Sequence, residues 1–384
     1  MTVLYYITRS YPLYKKTGGS LMREAQVNFL RKKFDKLVVV MPNYNSAELV
    51  NKKDVIQIPF YNYPRISELF ERVGIYEDYL DNWVNRAYAF LEISINQEDI
   101  IFSTCGGELA SIKLGSRLKQ KSNCKFLVNF HDPIDYTTVD NSIVDNRIHI
   151  KRDYLERKYL ANADFIITSS KGYKQSLLDK YPFLNGKIDW VHFGYIDRFK
   201  KYSRVKDGVF RIAFSGSLTK VQSPELLIEA FDRFSFPKKK IEILFIGDNR
   251  NYRLSSNSEH VIFIDSMDRD IFLKYMKNYV DVGFVSLTNE YLGACVPSKI
   301  FEYINLELPI IGALPDGDAK EIIEKGYGVC CHYQDIECLT LAIKHMLDET
   351  NYTQYKTNLS KDVASWHFNK RQADVFEMIA RAAK

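Results

Sequence analysis

The segment VPSKIFEYINLELPII, residues 296–311, decides the fold prediction. Pro297 suits the first turn of a helix, because its missing N–H would have no intrahelical partner there. Ile300, Phe301 and Ile304 follow at helical spacing, which predicts a buried face. The run PII that comes next predicts a strand, so the segment indicates a helix followed directly by a strand.

The same helix carries two charged side chains outside its apolar face. Lys299 and Glu302 lie one turn apart. They form either an exposed ion pair or a pair that faces something bound. At the start of the helix, the N–H groups of Ser298 and Lys299 are expected to stay free and to point towards the ends of neighbouring strands.

Short apolar runs alternate with helical stretches along the whole chain, which predicts an α/β fold with doubly wound parallel sheets. The predicted strands of the first half are 3–7, 36–42, 55–59, 99–104, 125–130, 164–170 and 188–194. Those of the second half are 210–216, 241–248, 261–266, 280–287, 309–314 and 328–333. Amphipathic stretches such as 20–34 and 108–119 predict helices between them.

A chain of 384 residues is about twice the usual domain size, so we predict two Rossmann-like domains. The polar segment 196–208 is the natural linker. The first domain is predicted over 1–204 and the second over 205–364. Residues 365–384 predict a terminal amphipathic helix, which needs a surface to dock on.

The composition is that of a globular protein, with 46% hydrophobic and 26% charged residues. The chain has no apolar run of about 18 residues, and its N-terminus predicts a first strand rather than a signal peptide. The six cysteines show no spacing typical of a disulfide framework. Cys330, Cys331, His332 and Cys338 are close in sequence but contain no CxxC pair, so we predict no metal site and a reduced, cytoplasmic protein.

Charge is distributed unevenly between the two halves. Residues 1–200 hold 29 Lys and Arg against 23 Asp and Glu, whereas the remainder holds 24 against 25. This imbalance is either ordinary or a sign that the first half meets an anionic partner such as a membrane surface. The aromatic segment 61–97 also has two interpretations. It serves either ordinary helix packing or contact with an acceptor or a membrane.

In open parallel sheets, ligands bind beyond the carboxyl ends of the strands. Gly18 and Gly19 follow the first strand and precede a helix, where free N–H groups suit an anion or the glycines make a tight turn. His131 and Asp132 follow the strand at 125–130. An imidazole there suits a hydrogen bond to a substrate, although such a pair also serves as a loop brace.

The second half has similar positions at its strand ends. Gly216 and Ser217 follow the strand at 210–216, and Lys220 lies in the loop before a helix, an arrangement suited to phosphate. Gly247 is the first residue of the turn at 247–249, which is small enough to leave room for a planar ring beside it. The loop at 287–295 leads into the helix at Pro297.

Taken in order, the GG pair, FHDP at 130–133, FSGSLTK at 214–220, FIGD at 245–248 and PSKIFEYINLELPII at 297–311 resemble the retaining glycosyltransferases of the GT-B fold, in family 4, the glycosyl transferases group 1 type. The resemblance covers about residues 1–380. It implies two Rossmann-like domains facing a cleft, with the C-terminal helix crossing back to the first domain. It further implies a nucleotide-sugar donor, UDP- or GDP-linked, and a glycan or lipid-linked acceptor.

The resemblance also implies roles for individual residues. Glu302 looks like the carboxylate that holds the ribose hydroxyls, and Ser298 and Lys299 lie near the diphosphate. Gly247 lies near the base, and Gly19 lets its loop approach the phosphate. The position of His131 is similar to that of the histidine beside the transferred sugar.

The chain departs from the family pattern at three positions. Ala294 stands where the family often has a glutamate that touches the sugar, and Glu290 is a candidate substitute. Ser217 and Gln222 stand where the family favours Arg and Lys, which leaves Lys220 and Lys299 as phosphate cations. The acid pairs at 268–270 and 316–318 are interpreted as surface acids, and no metal or further cofactor is expected.

The predicted reaction is therefore sugar transfer with retention, by same-face attack, in bacterial cell-surface polysaccharide synthesis. The expected location is cytoplasmic, with peripheral membrane contact through the basic first domain and no nucleic-acid partner. Two alternatives stay open because a fold does not fix a function. They are a sugar-nucleotide epimerase of the same architecture and a non-catalytic partner subunit.

Overall fold

The computed structural model describes residues 2–12, 18–44, 54–61, 63–134, 146–197, 205, 207–216, 218, 222–234, 240–247, 254–256 and 258–383. Contacts divide the chain into two compact units. The first comprises residues 1–192 and 371–384, and the second comprises residues 193–370. The breaks at 192/193 and 370/371 compare with predicted domain bounds at 204 and 364, which stay a prediction.

The first unit is built on a parallel sheet whose strands alternate with helices. In chain order the elements are β1 Val3–Ile7, α1 Gly18–Leu30, β2 Lys36–Asn43, β3 Val55–Pro59, α2 Pro64–Arg72, α3 Asp81–Leu91, β4 Ile100–Gly106, α4 Ala110–Ser122, β5 Lys125–Asp132, α5 Asn146–Leu160, β6 Phe165–Thr168, α6 Lys171–Lys180 and β7 Ile188–Trp190. Within the described residues the strand order is β3-β2-β1-β4-β5-β6-β7. The buried β1 residues pair with β2 on one side and β4 on the other, as expected for a central strand.

The second unit repeats this plan. Its elements are β8 Val209–Ser215, α7 Glu225–Asp232, β9 Lys240–Ile246, β10 Val261–Ile264, α8 Arg269–Tyr279, β11 Val282–Ser286, α9 Ser298–Asn305, β12 Ile310–Ala313, α10 Asp318–Ile323, β13 Gly328–Cys331, α11 Ile336–Leu347 and α12 Glu349–Asp362. The described strands lie in the order β10-β9-β8-β11-β12-β13, all parallel. The predicted doubly wound α/β fold is confirmed.

The last helix, α13, spans Phe368–Ala383, and its residues from 371 onward belong to the first unit. Val375 and Ile379 are fully buried in the same core cluster as β1 and β2. Gln372 accepts a hydrogen bond from Gln26 Nε2 at 2.9 Å, and the same Nε2 donates to Asn129 Oδ1 at 3.1 Å. The apolar face that the sequence left without a partner therefore docks on the first unit.

The prediction that the cysteines are all reduced is wrong, because the structure joins Cys331 to Cys338 by a disulfide. Cys331 ends β13, and Cys338 lies in the first turn of α11. The two residues are brought together by the turn at 332–335, whose Asp335 caps α11 by accepting a hydrogen bond from the Cys338 N–H at 2.9 Å. Within the described residues, no helix is long and apolar enough to cross a membrane.

Candidate functional site

Helix α9 is fixed against the second sheet by Tyr303. This side chain is fully buried, and its hydroxyl lies 3.0 Å from Ser215 Oγ and accepts a hydrogen bond from the Ser215 N–H at 3.2 Å. Its ring occupies the space that a Cβ on Gly283 of β11 would need, 2.4 Å from the nearest ring atom. Burial raises the pKa of Tyr303, so the hydroxyl keeps its proton and can donate to a carbonyl of β8 or β11.

The start of α9 therefore lies at the carboxyl edge of β8 and β11. Pro297 precedes the helix with an extended ψ of 130°, and Ser298 is the first helical residue. The Ile300 N–H bonds back to the Pro297 carbonyl at 3.0 Å, whereas in the described chain the N–H groups of Ser298 and Lys299 have no acceptor. Ser298 itself is exposed. These two N–H groups are available to an anion.

Lys299 is buried rather than exposed, with a relative accessibility of 9%. Its Nζ lies 3.6 Å from the centroid of the Phe214 ring and donates to Gln222 Oε1 at 3.2 Å. Burial lowers the pKa of Lys299 to about 7, and the nearby Glu302 carboxylate offsets only part of this effect. The amine therefore titrates closer to neutral pH than an ordinary lysine does.

Glu302 does not pair with Lys299, so the interpretation of the two as an exposed ion pair is wrong. Its Oε1 accepts a hydrogen bond from Arg269 Nη1 at 2.7 Å. Arg269 is the first residue of α8, and its Nε donates to Asp197 Oδ2 at 2.9 Å. Burial opposes the charge on Arg269, but the two carboxylates raise the pKa of the guanidinium above its usual value. The carboxylate of Glu302 is held in one orientation.

Two glycine turns complete this edge. Gly216 follows β8 with φ of +109°, and Gly247 follows β9 with φ of +148°. A Cβ on Gly247 would lie 2.2 Å from the Gly216 carbonyl oxygen, so the two turns pack backbone against backbone. Lys299 Nζ lies 4.0 Å from the position of a Cβ on Gly216. The structure thus gathers Gly216, Gly247, Ser298, Lys299 and Glu302 at one sheet edge.

Other predicted residues lie apart from this group or outside the described chain. Glu290 is mostly exposed in a short 3₁₀ turn, and its Oε1 lies 2.9 Å from His332 Nε2. Ser217 and Lys220 lie outside the described residues. Asp318, interpreted as a surface acid, is buried at the start of α10.

The first unit holds the remaining predicted residues. Gly18 and Gly19 are the first two residues of α1, and His131 and Asp132 are the last two of β5. Burial, together with the Arg23 guanidinium, holds the pKa of His131 well below its usual value. The imidazole is therefore neutral at pH 7, the form that donates one hydrogen bond and accepts another.

Sequence reasoning missed three charged residues near the end of β5, where Arg23 acts on His131 and Arg23, Arg9 and Glu108 act on Asp132. Arg9 follows β1 and its Nε lies 3.0 Å from Oε2 of the buried Glu108, which follows β4. Arg23 lies on α1 and is 4% exposed. The strand-end rule that selected His131 also applies to Arg9 and Glu108. Within the described residues, no group of three His, Cys, Asp or Glu side chains is placed to hold a metal ion.

Comparison with known proteins concerns the family and the fold. Residues 196–363 match the family model glycosyl transferases group 1. No curated protein sequence matches the chain.

Solved structures match over the whole chain at low identity. A sucrose-phosphate synthase from Thermosynechococcus elongatus is 15% identical, with a TM-score of 0.72 and coverage of 100% of both chains. A lipopolysaccharide outer core galactosyltransferase, WaaB, is 12% identical, with a TM-score of 0.70 and coverage of 99% of both chains.

A third structure, trehalose-6-phosphate from E. coli bound with UDP-2-fluoro glucose, is 13% identical, with a TM-score of 0.68 and coverage of 98% of this chain and 99% of that chain. At these identities the likeness establishes the fold, and the family model adds the type of domain. Residues 196–363 therefore resemble a glycosyl transferases group 1 domain, in a chain whose two parallel sheets have the fold of its GT-B glycosyltransferase neighbours.

Proposed function

We propose that the protein transfers a sugar from a nucleoside diphosphate sugar to a glycan or lipid-linked acceptor with retention of configuration. The group 1 domain indicates a glycosyltransferase. The observation that carries the finer proposal is the edge of the second sheet, where an oriented carboxylate, a buried lysine and two free N–H groups meet beside two glycine turns. In this proposal the carboxylate binds the ribose of the nucleotide, the lysine and the N–H groups bind its diphosphate, and a glycine turn lies next to its base.

We base the proposed donor roles on this geometry. Glu302 accepts hydrogen bonds from the ribose hydroxyls, since Arg269 holds its carboxylate in place. Lys299 and the N–H groups at the start of α9 receive the diphosphate, and Gly247 lies next to the base. The structural neighbour bound with UDP-2-fluoro glucose supports a nucleotide-sugar donor, and UDP and GDP are the two donor nucleotides that we propose.

The leaving diphosphate gains negative charge as the glycosidic bond breaks. Preorganised N–H groups and a lysine stabilise such charge, and we propose that they do so here without a metal ion. The acceptor hydroxyl then attacks the same face of the sugar, and the departing phosphate takes its proton. In this proposal Lys299, Lys220 and His131 serve the reaction directly, and Glu290 stands in for the acid missing at Ala294.

We place the acceptor at the first unit, where the neutral His131 imidazole donates a hydrogen bond to a sugar hydroxyl. His131→Ala is expected to lose turnover and to keep nucleotide binding, as measured by transfer assay and calorimetry. Wild-type rates with the natural acceptor would remove His131 from the site. The galactosyltransferase of lipopolysaccharide among the neighbours supports a bacterial cell-surface glycan as the acceptor class.

A surface on the first unit supports contact with a membrane. Ile66, Leu69 and Val73 follow one another at helical spacing on and just after α2, and all three are about half exposed or more. Three further exposed side chains lie close to them in the sequence. We call the six residues the α2 patch: Tyr61, Tyr63, Ile66, Leu69, Val73 and Ile75.

Cationic side chains adjoin the α2 patch. Arg65 is exposed between its residues, and the Arg86 guanidinium lies 4.6 Å from the centroid of the Tyr61 ring. Apolar side chains flanked by tyrosines and arginines suit the interface of an anionic bilayer. We therefore propose that the α2 patch rests on an anionic lipid surface, as a lipid-linked acceptor would require.

The experiment that tests the function is a thermal-shift screen of the full chain against UDP, GDP, ADP, CMP and their sugars, followed by an acceptor assay with the sugar that binds. Stabilisation by one nucleotide and transfer only when an acceptor is present support the proposal. Release of a free epimerised sugar without acceptor would make the protein an epimerase. Binding of no nucleotide at all would favour a non-catalytic subunit.

A further inference from the structure

The disulfide between Cys331 and Cys338 lies at the carboxyl edge of the second sheet, the edge that also carries Lys299. Cys331 is the last residue of β13, which is the outermost strand on its side of the described sheet. Cys338 lies in the first turn of α11, the helix that follows β13. The bond therefore closes residues 332–337 into a loop, which we call the disulfide loop, at the edge where ligands of such sheets bind.

The two bonded cysteines differ in their access to solvent. Cys331 is 2% exposed and belongs to the core cluster of the second unit, whereas Cys338 is only partly buried and packs against that cluster. A reagent from solution therefore reaches the sulfur of Cys338 first. When the bond is open, the Cys338 thiol lies in the first turn of a 12-residue helix, where the helix dipole favours the thiolate, which is the reactive form.

The other four cysteines do not compete for this chemistry. Three of them are buried, namely Cys105, Cys124 and Cys295. Cys330 is adjacent to the pair in sequence, but burial and the Glu324 carboxylate raise its pKa to about 12. Because Cys330 stays protonated at neutral pH, it is a poor nucleophile towards the adjacent disulfide. Opening of the bond therefore requires a thiol from solution.

Hydrogen bonds hold the ends of the disulfide loop together independently of the covalent bond. Asp335 caps α11 by accepting from the Cys338 N–H at 2.9 Å, and the Asp335 N–H donates to the His332 carbonyl at 2.9 Å. The two cysteines are only seven residues apart, so the bond stabilises the fold less than one across a long loop does. The second unit is therefore expected to stay folded when the bond opens, with the two thiols close enough to re-form it.

The disulfide loop contacts Glu290, the residue that we propose as the substitute for the missing sugar-binding acid. His332 Nε2 lies 2.9 Å from Glu290 Oε1. Desolvation and a hydrogen bond to the Glu290 carboxylate raise the pKa of Tyr333, and the rings of His332 and Tyr333 lie 4.5 Å apart. Two adjacent side chains of the loop therefore hold the Glu290 carboxylate, which begins the turn 290–294 before α9.

We propose that Cys331 and Cys338 form a reversible thiol–disulfide site, and that its redox state controls how firmly Glu290 is held in the donor site. In the reduction, the thiolate of a small thiol such as glutathione attacks the Cys338 sulfur, and the Cys331 sulfur leaves and takes up a proton. A second small thiol then attacks the mixed disulfide and releases Cys338. The protein gains two electrons and two protons, and the two small thiols become one disulfide.

The control of Glu290 rests on the proposed function, whereas the redox site rests on the positions of the two cysteines alone. When the bond opens, the disulfide loop keeps its hydrogen bonds at Asp335 but loses the covalent restraint next to His332. The contacts of His332 and Tyr333 with Glu290 are then less firmly fixed. Because Glu290 is assigned to the sugar and not to the nucleotide, reduction is expected to weaken binding of a nucleotide sugar and to leave binding of the free nucleotide unchanged.

The first experiment counts thiols and involves no nucleotide. The folded full chain is equilibrated in mixtures of reduced and oxidised glutathione, quenched with acid, unfolded, labelled with a maleimide and analysed by peptide mass spectrometry. Labels on Cys331 and Cys338 should appear together as reduced glutathione increases and disappear again in oxidised glutathione. Cys330→Ala, the control at the neighbouring thiol, should show the same transition. A bond that dithiothreitol does not open in the folded protein, or two thiols that do not re-form it, disproves the redox site.

The second experiment measures, by calorimetry, how oxidised and reduced protein bind UDP-glucose, UDP-galactose and GDP-mannose, with UDP and GDP as references. The reduced protein should bind its nucleotide sugar at least about fivefold more weakly and the free nucleotide equally well. Equal affinities of the two forms for every probe overturn the control of Glu290. If neither form binds any probe, the proposed function fails, while the thiol count still decides the redox site.

Two variants separate control through Glu290 from a general loosening of the second unit. Cys338→Ser should bind the probes like the reduced wild type, even in oxidised glutathione. Glu290→Ala should show equal affinities in its oxidised and reduced forms, because the group that the disulfide loop holds is gone. If the difference between the two forms persists in Glu290→Ala, reduction acts elsewhere and the control of Glu290 is disproved.

Discussion

Lys299 lies at the start of a helix, as the sequence predicts, but its surroundings differ from the predicted ones. The pattern placed it at the start of a helix and left open an ion pair with Glu302. The structure instead puts its amine on the face of the Phe214 ring and buries it. Phe214 lies 85 residues earlier in the chain, and no local sequence pattern indicates that the two residues are in contact. Neither the burial of Lys299 nor its lowered pKa was therefore predictable.

The lowered pKa of Lys299 predicts how UDP binding depends on pH. The free amine has a pKa of about 7, and a bound diphosphate raises it, so the complex holds more protons than the free protein above that pH. UDP keeps its own charge in this range because its last phosphate pKa is about 6. Affinity is therefore expected to be flat between about pH 6 and pH 7 and to fall, by up to about tenfold per pH unit, above pH 7.

Calorimetry across this range, in buffers of different ionisation enthalpy, measures both the affinity and the proton uptake. Lys299→Met is the control, and it should bind more weakly at neutral pH and show no slope. The affinity for UDP should fall between the pKa of Lys299 in the ligand-free protein and the pKa of an ordinary lysine. A wild-type affinity that stays constant up to about pH 9, in the upper part of this window, contradicts the role given to Lys299.

Glu302 gives a second prediction at the residue scale. Glu302→Ala is expected to weaken UDP binding by at least about tenfold, because it removes a partly buried carboxylate whose hydrogen bonds to ribose are charge-assisted. The matched control is Glu229→Ala, which removes an acid paired with Arg233 on an exposed helix surface. Equal UDP affinities of Glu302→Ala and the wild type in calorimetry would remove Glu302 from the donor site.

Among the elements, the strands were the most predictable part of the fold. Each of the predicted strands is confirmed within a few residues, since buried parallel strands consist of short apolar runs that the sequence shows directly. Ends of helices and strands carry the errors, as Pro297 shows by preceding α9 instead of opening it. Pairings between elements were missed, among them Arg269 with Glu302 and Cys331 with Cys338, because they join residues whose distance is set only by the fold.

At the scale of an element, we predict that substitutions in helix α2 abolish binding to lipid. The double variant Ile66→Glu with Leu69→Glu should lose binding to vesicles of phosphatidylglycerol and phosphatidylethanolamine, because it places two charges on the face that enters the interface. Both side chains are about half exposed, so little destabilisation is expected. Sedimentation with vesicles is the measurement, and vesicles of phosphatidylcholine alone should bind more weakly.

The control for α2 is Leu341→Glu on α11, which exchanges an equally exposed apolar side chain outside the α2 patch. It should bind vesicles as the wild type does. If the double variant binds vesicles normally, the patch does not meet lipid. A wild type that forms dimers in solution, which the double variant dissociates, would instead assign the patch to a second copy of the chain.

On the scale of the whole molecule, the two units differ in how their chain is assembled. The second unit is one continuous stretch, 193–370, with its own sheet and core. Expressed alone, this stretch is expected to unfold cooperatively and to be stabilised by UDP, as thermal unfolding would measure. A folded fragment without a UDP response would contradict the placement of the donor in the second unit.

The first unit is not continuous, and this affects the order in which the protein is made. Val375 and Ile379 complete its core, and Gln372 accepts a hydrogen bond from the Gln26 amide. All three leave the ribosome only after the whole second unit. Until then, residues 1–192 have an open apolar surface in the place of α13. The second unit, synthesised later, is therefore complete first. A stop codon within α13 is therefore expected to damage the first unit, most of which lies far from it in sequence, rather than the continuous second unit.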